Sequence, residues 1–569
     1  MSESEGNEDV DGDAGEYEHY EAVVVGCGPG GAAAAASLAQ NDVETLVLER
    51  GVEAGSKNCS GGLIYAEESA SYTIDDLFPA FRDEASERPI TEYHMHNVAG
   101  DKVKSVDITR LHEHDTEWSD AVLRRNMDAW LEERVHEMTT ETGGGVLTGV
   151  RANGLLREND EIVGVTFDEI EPIKADMIVA ADGVNSELAR DAGMMDWEEP
   201  EEWFQGVKAV VEMPNDILED RLGIENEEEG QAHLFSGSLF EGVRGGGFMY
   251  TNEGSLSVGT VFHLDSLVAE EAEPHELLDA LLTHPLMAQW LNGEYEETEY
   301  SAKLVPDSKK VAHTSPAKDS LVLVGDAGGQ MQAMGPIIKG MNHAVTAGAL
   351  AGDAFVEARD KGVNPGDVYV EKLNQEGIFK KLKPRRYKLA SALGENRPMT
   401  ALSGGLLSSF VGRFFVRRSV FENRLLPWAM GSPFMSAMIP DTRTPYVTLP
   451  TVVAEELGDE VDDENEVEPE SLLDRIGDLT YDTDIGNPHI EVNDASIEAS
   501  GAAVHACPVS ARDFGSGCYR EETVQTNGSE KRSVSLDTQP CVECGTCAVV
   551  ADTEWRHPSG GKGVEFRQG

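Results

Sequence analysis

Cys541, Cys544 and Cys547 form a C-x-x-C-x-x-C run, in which one short loop can set three thiolates on three corners of a four-iron, four-sulfur cube. The fourth thiolate of such a site comes from a remote cysteine followed by proline, and Cys507-Pro508 supplies that pair. Cys518 is an alternative fourth ligand. Zinc is the competing metal, although its usual sites pair separate C-x-x-C units and do not overlap two spacings. Five of the seven cysteines fall in the last 63 residues, which in a reducing compartment indicates metal ligation and not disulfides. A second cube would need four more cysteines, so one cluster is the ceiling for all-cysteine ligation.

A second chemistry is written near the other end. Gly26, Gly28 and Gly31 make G-x-G-x-x-G directly after an apolar run and before an Ala-rich stretch, the pattern of a tight turn, a close approach to a pyrophosphate, and close packing of helix on strand. Glu49 ends the next strand 18 residues past Gly31, where an acid can accept from a ribose diol, and Arg50 follows it. Two further glycine turns carry an aspartate at a strand end: Asp182-Gly183 after ADMIVA, and Gly325-Asp326 after LVLV. Cys27 and Cys59 are isolated, so no redox-active C-x-x-C lies beside this site; Cys27 reads as a small packing residue in the turn. No second G-x-G-x-x-G follows a strand. Without a nicotinamide domain, electrons must arrive from another protein or a bound substrate.

The elements that position these residues follow from the pattern of the chain. Residues 1–19 are an acidic tail, and YEAVVVGCGPGGAAAAASLAQNDVETLVLER then reads as strand, turn, helix and strand. Residues 20–200 are assigned to a Rossmann-type dinucleotide-binding segment, 201–315 to a β-rich unit on the substrate side, and 316–454 to the return of the nucleotide-binding domain. The acidic run 455–479 has the composition of a tether, and 480–569 form a small ferredoxin-like unit. The expected fold class is α/β, a Rossmann-type domain with an inserted β-rich domain and a C-terminal iron-sulfur domain.

With 45 Lys and Arg against 105 Asp and Glu, the net charge of −60 excludes nucleic acid as a partner and suits a surface solvated at high salt. The N-terminus lacks the basic and apolar regions of a signal peptide, so the expected location is cytoplasmic.

The glycine turns, with Arg124 and Asp128 in LRRNMDAWL, resemble the FAD-dependent superfamily of aromatic hydroxylases and geranylgeranyl reductases. The resemblance implies FAD, with Asp326 on the ribityl chain, Arg124 near the cofactor and Asp128 supporting it. The stretch ERGVEAGSKNCSGGLIYAEE is similar to the electron-transfer-flavoprotein:quinone oxidoreductases, especially FixC-type proteins, and PCVECGTCAVVADTEWRHPSGGKGVEFRQG resembles their FixX ferredoxin-like partner, here fused. This implies Gly61 and Gly62 beside the isoalloxazine ring, an electron-transfer flavoprotein (FixA/FixB-like) as donor, and a quinone, ubiquinone or menaquinone, as acceptor. The 33 residues between Cys507 and Cys541 include a polar insertion relative to that family. Residues 401–440, with Arg413, Arg417, Arg418 and Arg424, and the upstream KKLKPRRYK, form a basic amphipathic stretch suited to the inner face of a membrane as a peripheral contact. The rival readings are a prenyl double-bond reductase, for which Cys59 would stand beside the flavin, and an electron-carrying subunit of a larger complex.

Overall fold

The structure, a computed structural model, describes residues 17–380 and 447–567 apart from 60, 113–115, 169, 196–198, 294, 308–314, 335–336, 448, 462–466, 485–486, 512–516 and 527–528. The acidic tail and the basic amphipathic stretch 401–440 therefore lie outside the described residues, as does nearly all of KKLKPRRYK.

The run HYEAVVV forms the strand His19–Val25, which pairs in parallel with Thr45–Leu48 on one side and Ile173–Ala180 on the other. Leu321–Leu323 and Gly145–Leu147 extend this sheet in parallel, and the antiparallel pair Ala152–Glu158 and Glu161–Phe167 joins it through Ile173–Ala180. Buried on both faces, its central strands are near-continuous in valine, isoleucine and leucine, as parallel sheets require. The helix Pro29–Ala39 is buried along its whole length, and its alanines admit the long helix Met341–Lys361 at close range. A Cβ on Gly348 would stand 2.1 Å from the Gly30 carbonyl oxygen, so the return segment docks where only glycine fits.

The second large sheet runs Glu296–Pro306, Trp203–Glu212, Ser255–His263, Gly245–Thr251, Gln231–Gly237, Glu92–Ala99, Lys102–Asp107 and Asp459–Glu460. It takes two strands, over 92–107, from the stretch assigned by sequence to the dinucleotide-binding segment. The assigned tether also packs in part: Leu472–Asp478 is helical, Leu472 is buried, and buried Arg475 donates to Glu297 at 2.8 Å and Asp279 at 2.7 Å. A single cation neutralised by two acids of the sheet unit anchors an otherwise acidic run.

The C-terminal unit joins Thr480–Asp482 to Gly563–Glu565 and Ile490–Val492 to Thr553–Trp555, both antiparallel. The polar insertion forms a hairpin, Tyr519–Thr526 with Ser529–Leu536.

Candidate active site

One pocket collects residues that lie far apart in the chain. Gly26, Gly28, Glu49, Arg50, Gly61, Gly62, Arg124, Asp182, Gly183, Gly325 and Asp326 all line it. Gly31 does not; it packs inward, where a Cβ would stand 1.9 Å from the Gly26 carbonyl oxygen. Gly26 adopts φ +95° and lies so close to Ala181 that a side chain could not enter.

The helix Pro29–Ala39 begins at Gly28 with no side-chain cap and no acid in its first turn, leaving the positive end of its dipole turned to the pocket. Arg124 stands against Gly28 and is held by Asp128, to which its Nε donates at 2.9 Å; Asn58 donates to the same carboxylate at 2.7 Å. Glu49 accepts from the backbone N–H groups of Cys27 at 3.0 Å and Gly51 at 2.6 Å, so it fixes the glycine turn and still has lone pairs for a ribose.

Several buried polar atoms on the pocket wall have no hydrogen-bond partner among the described residues: Asp182 Oδ1, Arg50 Nη1 and Asn185 Oδ1. Such orphans are costly unless a ligand satisfies them. Burial raises the Asp182 carboxyl to about 6 and also raises that of Asp326, which Arg124 and Lys303 oppose. A dinucleotide with a diphosphate for the helix terminus and Arg124, and hydroxyls for the acids, fits this donor and acceptor set.

The lining also has an apolar and aromatic part, with Leu63, Phe248, Tyr250, Met331 and Met341. Lys208 projects here from Trp203–Glu212, its Nζ directly beneath Gly61. Burial brings this amine down to about 7. Cys59 lies within 3.1 Å of Ser301 Oγ, and burial raises its thiol.

The five C-terminal cysteines converge and are all buried. The loop from Cys541 to Cys547 wraps through left-handed conformations at Glu543 (φ 54°) and Gly545 (φ 90°). Cys518 lies within hydrogen-bonding reach of Cys507 and Cys541, and this contact leads the causes holding both below the ordinary thiol range. Burial raises the thiols of both Cys544 and Cys547.

This loop sits on the wall of the pocket. Glu543 pairs with Arg50 at 2.8 Å and accepts from Val564 N at 2.9 Å. Leu304 N donates to Cys544 O at 3.2 Å, Asn185 Nδ2 to Cys544 O at 3.3 Å, and Lys303 Nζ to Glu543 O at 3.4 Å. Thr546 donates to Gln205. Lys57 spends its ammonium on the carbonyls of Lys562 and Val564, at 2.8 and 2.7 Å, tying the C-terminal strand to the loop that precedes Gly61.

Lys57, Lys208, Lys303, Asn185 and Glu543 had not been singled out from the sequence. The signal available was a lysine among apolar residues, in GVKAVV and SAKLVP.

This cradle is that of an FAD-dependent oxidoreductase. A family model described as FAD dependent oxidoreductase matches residues 21–213. Protein FixC of Escherichia coli K12 is 35% identical over 341 residues, 60% of this chain and 77% of that one. The probable electron transfer flavoprotein-quinone oxidoreductase YdiS of the same strain is 31% identical over 344 residues, with the same coverage. The chain belongs to the FixC family. A geranylgeranyl bacteriochlorophyll reductase-like structure from Thermoplasma acidophilum, at TM-score 0.50 and 19% identity over 64% of this chain and 87% of that one, shares the fold.

Proposed function

We propose that this chain takes electrons singly from an electron-transfer flavoprotein and delivers them in pairs to a membrane quinone, through FAD and one four-iron, four-sulfur cluster. The observation that carries the reading is the junction just described, where the cysteine loop closes on the wall of the dinucleotide pocket. A flavin handles one or two electrons and a cluster one, which is the pairing such a conversion needs.

The chain's own residues divide the work. Gly26, Gly28 and Arg124 hold the diphosphate; Glu49, Asp182, Gly183, Gly325 and Asp326 accept from or approach the sugar and ribityl hydroxyls; Gly61 and Gly62 leave room for the ring; and Arg50 links this region to Glu543. Cys507, Cys541, Cys544 and Cys547 hold the cluster. The spacing of Cys541, Cys544 and Cys547, the Cys507-Pro508 pair and the burial of all four cysteines support that set.

Among the described residues no helix is long and apolar enough to cross a membrane, and the proposed peripheral contact on the inner face rests on the sequence of 401–440. The charge of −60 suits a solvent of high ionic strength, where self-repulsion is screened.

The test is quinone-analogue reduction by the anaerobically purified chain with reduced electron-transfer flavoprotein. Turnover that Cys544→Ser abolishes while FAD is retained is the expected result. Reduction of a prenyl chain without quinone turnover would instead favour the reductase reading, to which the position of Cys59 beside Lys208 lends itself.

A further inference from the structure

The strand Glu296–Pro306 is the edge of the second sheet, and the cysteine loop lies along it. Its neighbour Trp203–Glu212 pairs Gly206 with Lys303 and Lys208 with Ser301. Lys303, Leu304 and Val305 line the dinucleotide pocket, and from the same stretch Leu304 N and Lys303 Nζ reach the carbonyls of Cys544 and Glu543. This one strand is thus the partition between the two sites.

The charges at the partition are unevenly placed. Arg50 is paired with the Glu543 carboxylate, and Lys57 donates to two carbonyls of the C-terminal strand. Among the described residues, Lys303 Nζ donates to the Glu543 carbonyl of the cysteine loop at 3.4 Å while Lys303 also lines the dinucleotide pocket; burial lowers its amine, and the nearby Glu543 carboxylate opposes that. A cation in that position favours every added electron on either side, and in a poorly solvated wall its field is weakly screened.

We propose that Lys303 is a positioning residue shared by the two redox centres, its ammonium standing between flavin and cluster and raising the affinity of both for electrons. The inference rests on the proposed FAD and cluster occupancy. It adds to that reading a specific consequence: the two potentials are linked through one side chain, so loss of its charge lowers both, the one-electron cluster by more than the two-electron flavin. Removal of the charge penalises reduction at each site, and a change confined to one site is not expected from a residue on the partition.

The experiment is a potentiometric titration of the full-length, loaded protein, following the flavin by absorption and the cluster by EPR, in Lys303→Gln, Lys303→Met and Lys303→Arg. Lys303→Gln keeps a hydrogen-bond donor and loses the charge. For the two neutral variants a roughly tenfold loss in each reduction equilibrium is expected, which reads as a fall of about 59 mV for the one-electron cluster and about 30 mV for the two-electron flavin. Lys303→Arg restores both. A shift at one centre only, no shift at either, or failure of both neutral variants to retain their cofactors overturns the proposal. Wild-type protein that carries FAD and no iron-sulfur signal defeats the functional reading itself, and this inference with it; loaded wild-type protein with unmoved variants defeats the inference alone.

Discussion

A thiol buried among other thiols does different work as a ligand and as a hydrogen-bond donor, and Cys507 and Cys518 present that choice side by side. Both are buried, and both lie near Cys541. If Cys507 is the fourth ligand, Cys507→Ser protein will lose most of its iron and its cluster spectrum. Cys518→Ser will keep four irons per chain and show only a shifted potential, because it loses a donor to two thiolates. Iron analysis beside EPR decides this, and the opposite pattern would move the site to Cys518. Residues of this kind were legible in advance because the spacing of Cys541, Cys544 and Cys547 is local. Glu543, inside the same loop, was not: its meaning depends on Arg50, nearly five hundred positions away, which folding brings to 2.8 Å.

Elements were read well where a period or a turn announces them and poorly where long-range pairing decides. The strand, glycine turn and helix over 19–39 stand where the pattern put them. The strands Glu92–Ala99 and Lys102–Asp107 have the look of one more hairpin in the first domain, yet pair into the second sheet alongside Gln231–Gly237. Sequence proximity gave no hint of that partner. The acidic run was read as a tether from its composition, yet part of it is a helix capped by Ser471 and tied to the sheet unit through buried Leu472 and Arg475. Removing that guanidinium leaves the buried Glu297 carboxylate with the Glu470 N–H at 2.8 Å but without its cation, so Arg475→Met is expected to destabilise the protein by about 3–5 kcal/mol. Chemical denaturation measures it; a loss below about 1 kcal/mol would mean the helix Leu472–Asp478 is held by other contacts.

On the scale of the whole molecule, buried histidines set a pH limit. Burial lowers His96 to about 3, with His94 and His284 adding to the effect, and lowers His112 and His275 to about 4, beside Lys339 and Arg475 respectively. These groups stay neutral in the folded chain while the unfolded chain protonates them near 6.5. Their contribution is therefore complete above pH 6.5 and declines as pH falls toward 4, by up to about 1.4 kcal/mol per pH unit for each histidine. Unfolding free energy measured from pH 7 to pH 5 should fall steeply, and His96→Gln should flatten the slope. A profile level across that range would mean these side chains are already solvated.

The proposed relay depends on the whole chain, because the pocket is lined by residues between 25 and 344 and by His557, and the cysteine loop that meets it spans residues 541 to 547. The most direct measurement is the flavin, iron and acid-labile sulfide content of anaerobically purified protein, with an EPR spectrum after reduction. One FAD, four irons and four sulfides per chain, with a one-electron cluster signal, is the predicted result. FAD accompanied by a single zinc, or by no metal bound at the cysteines, would contradict the account.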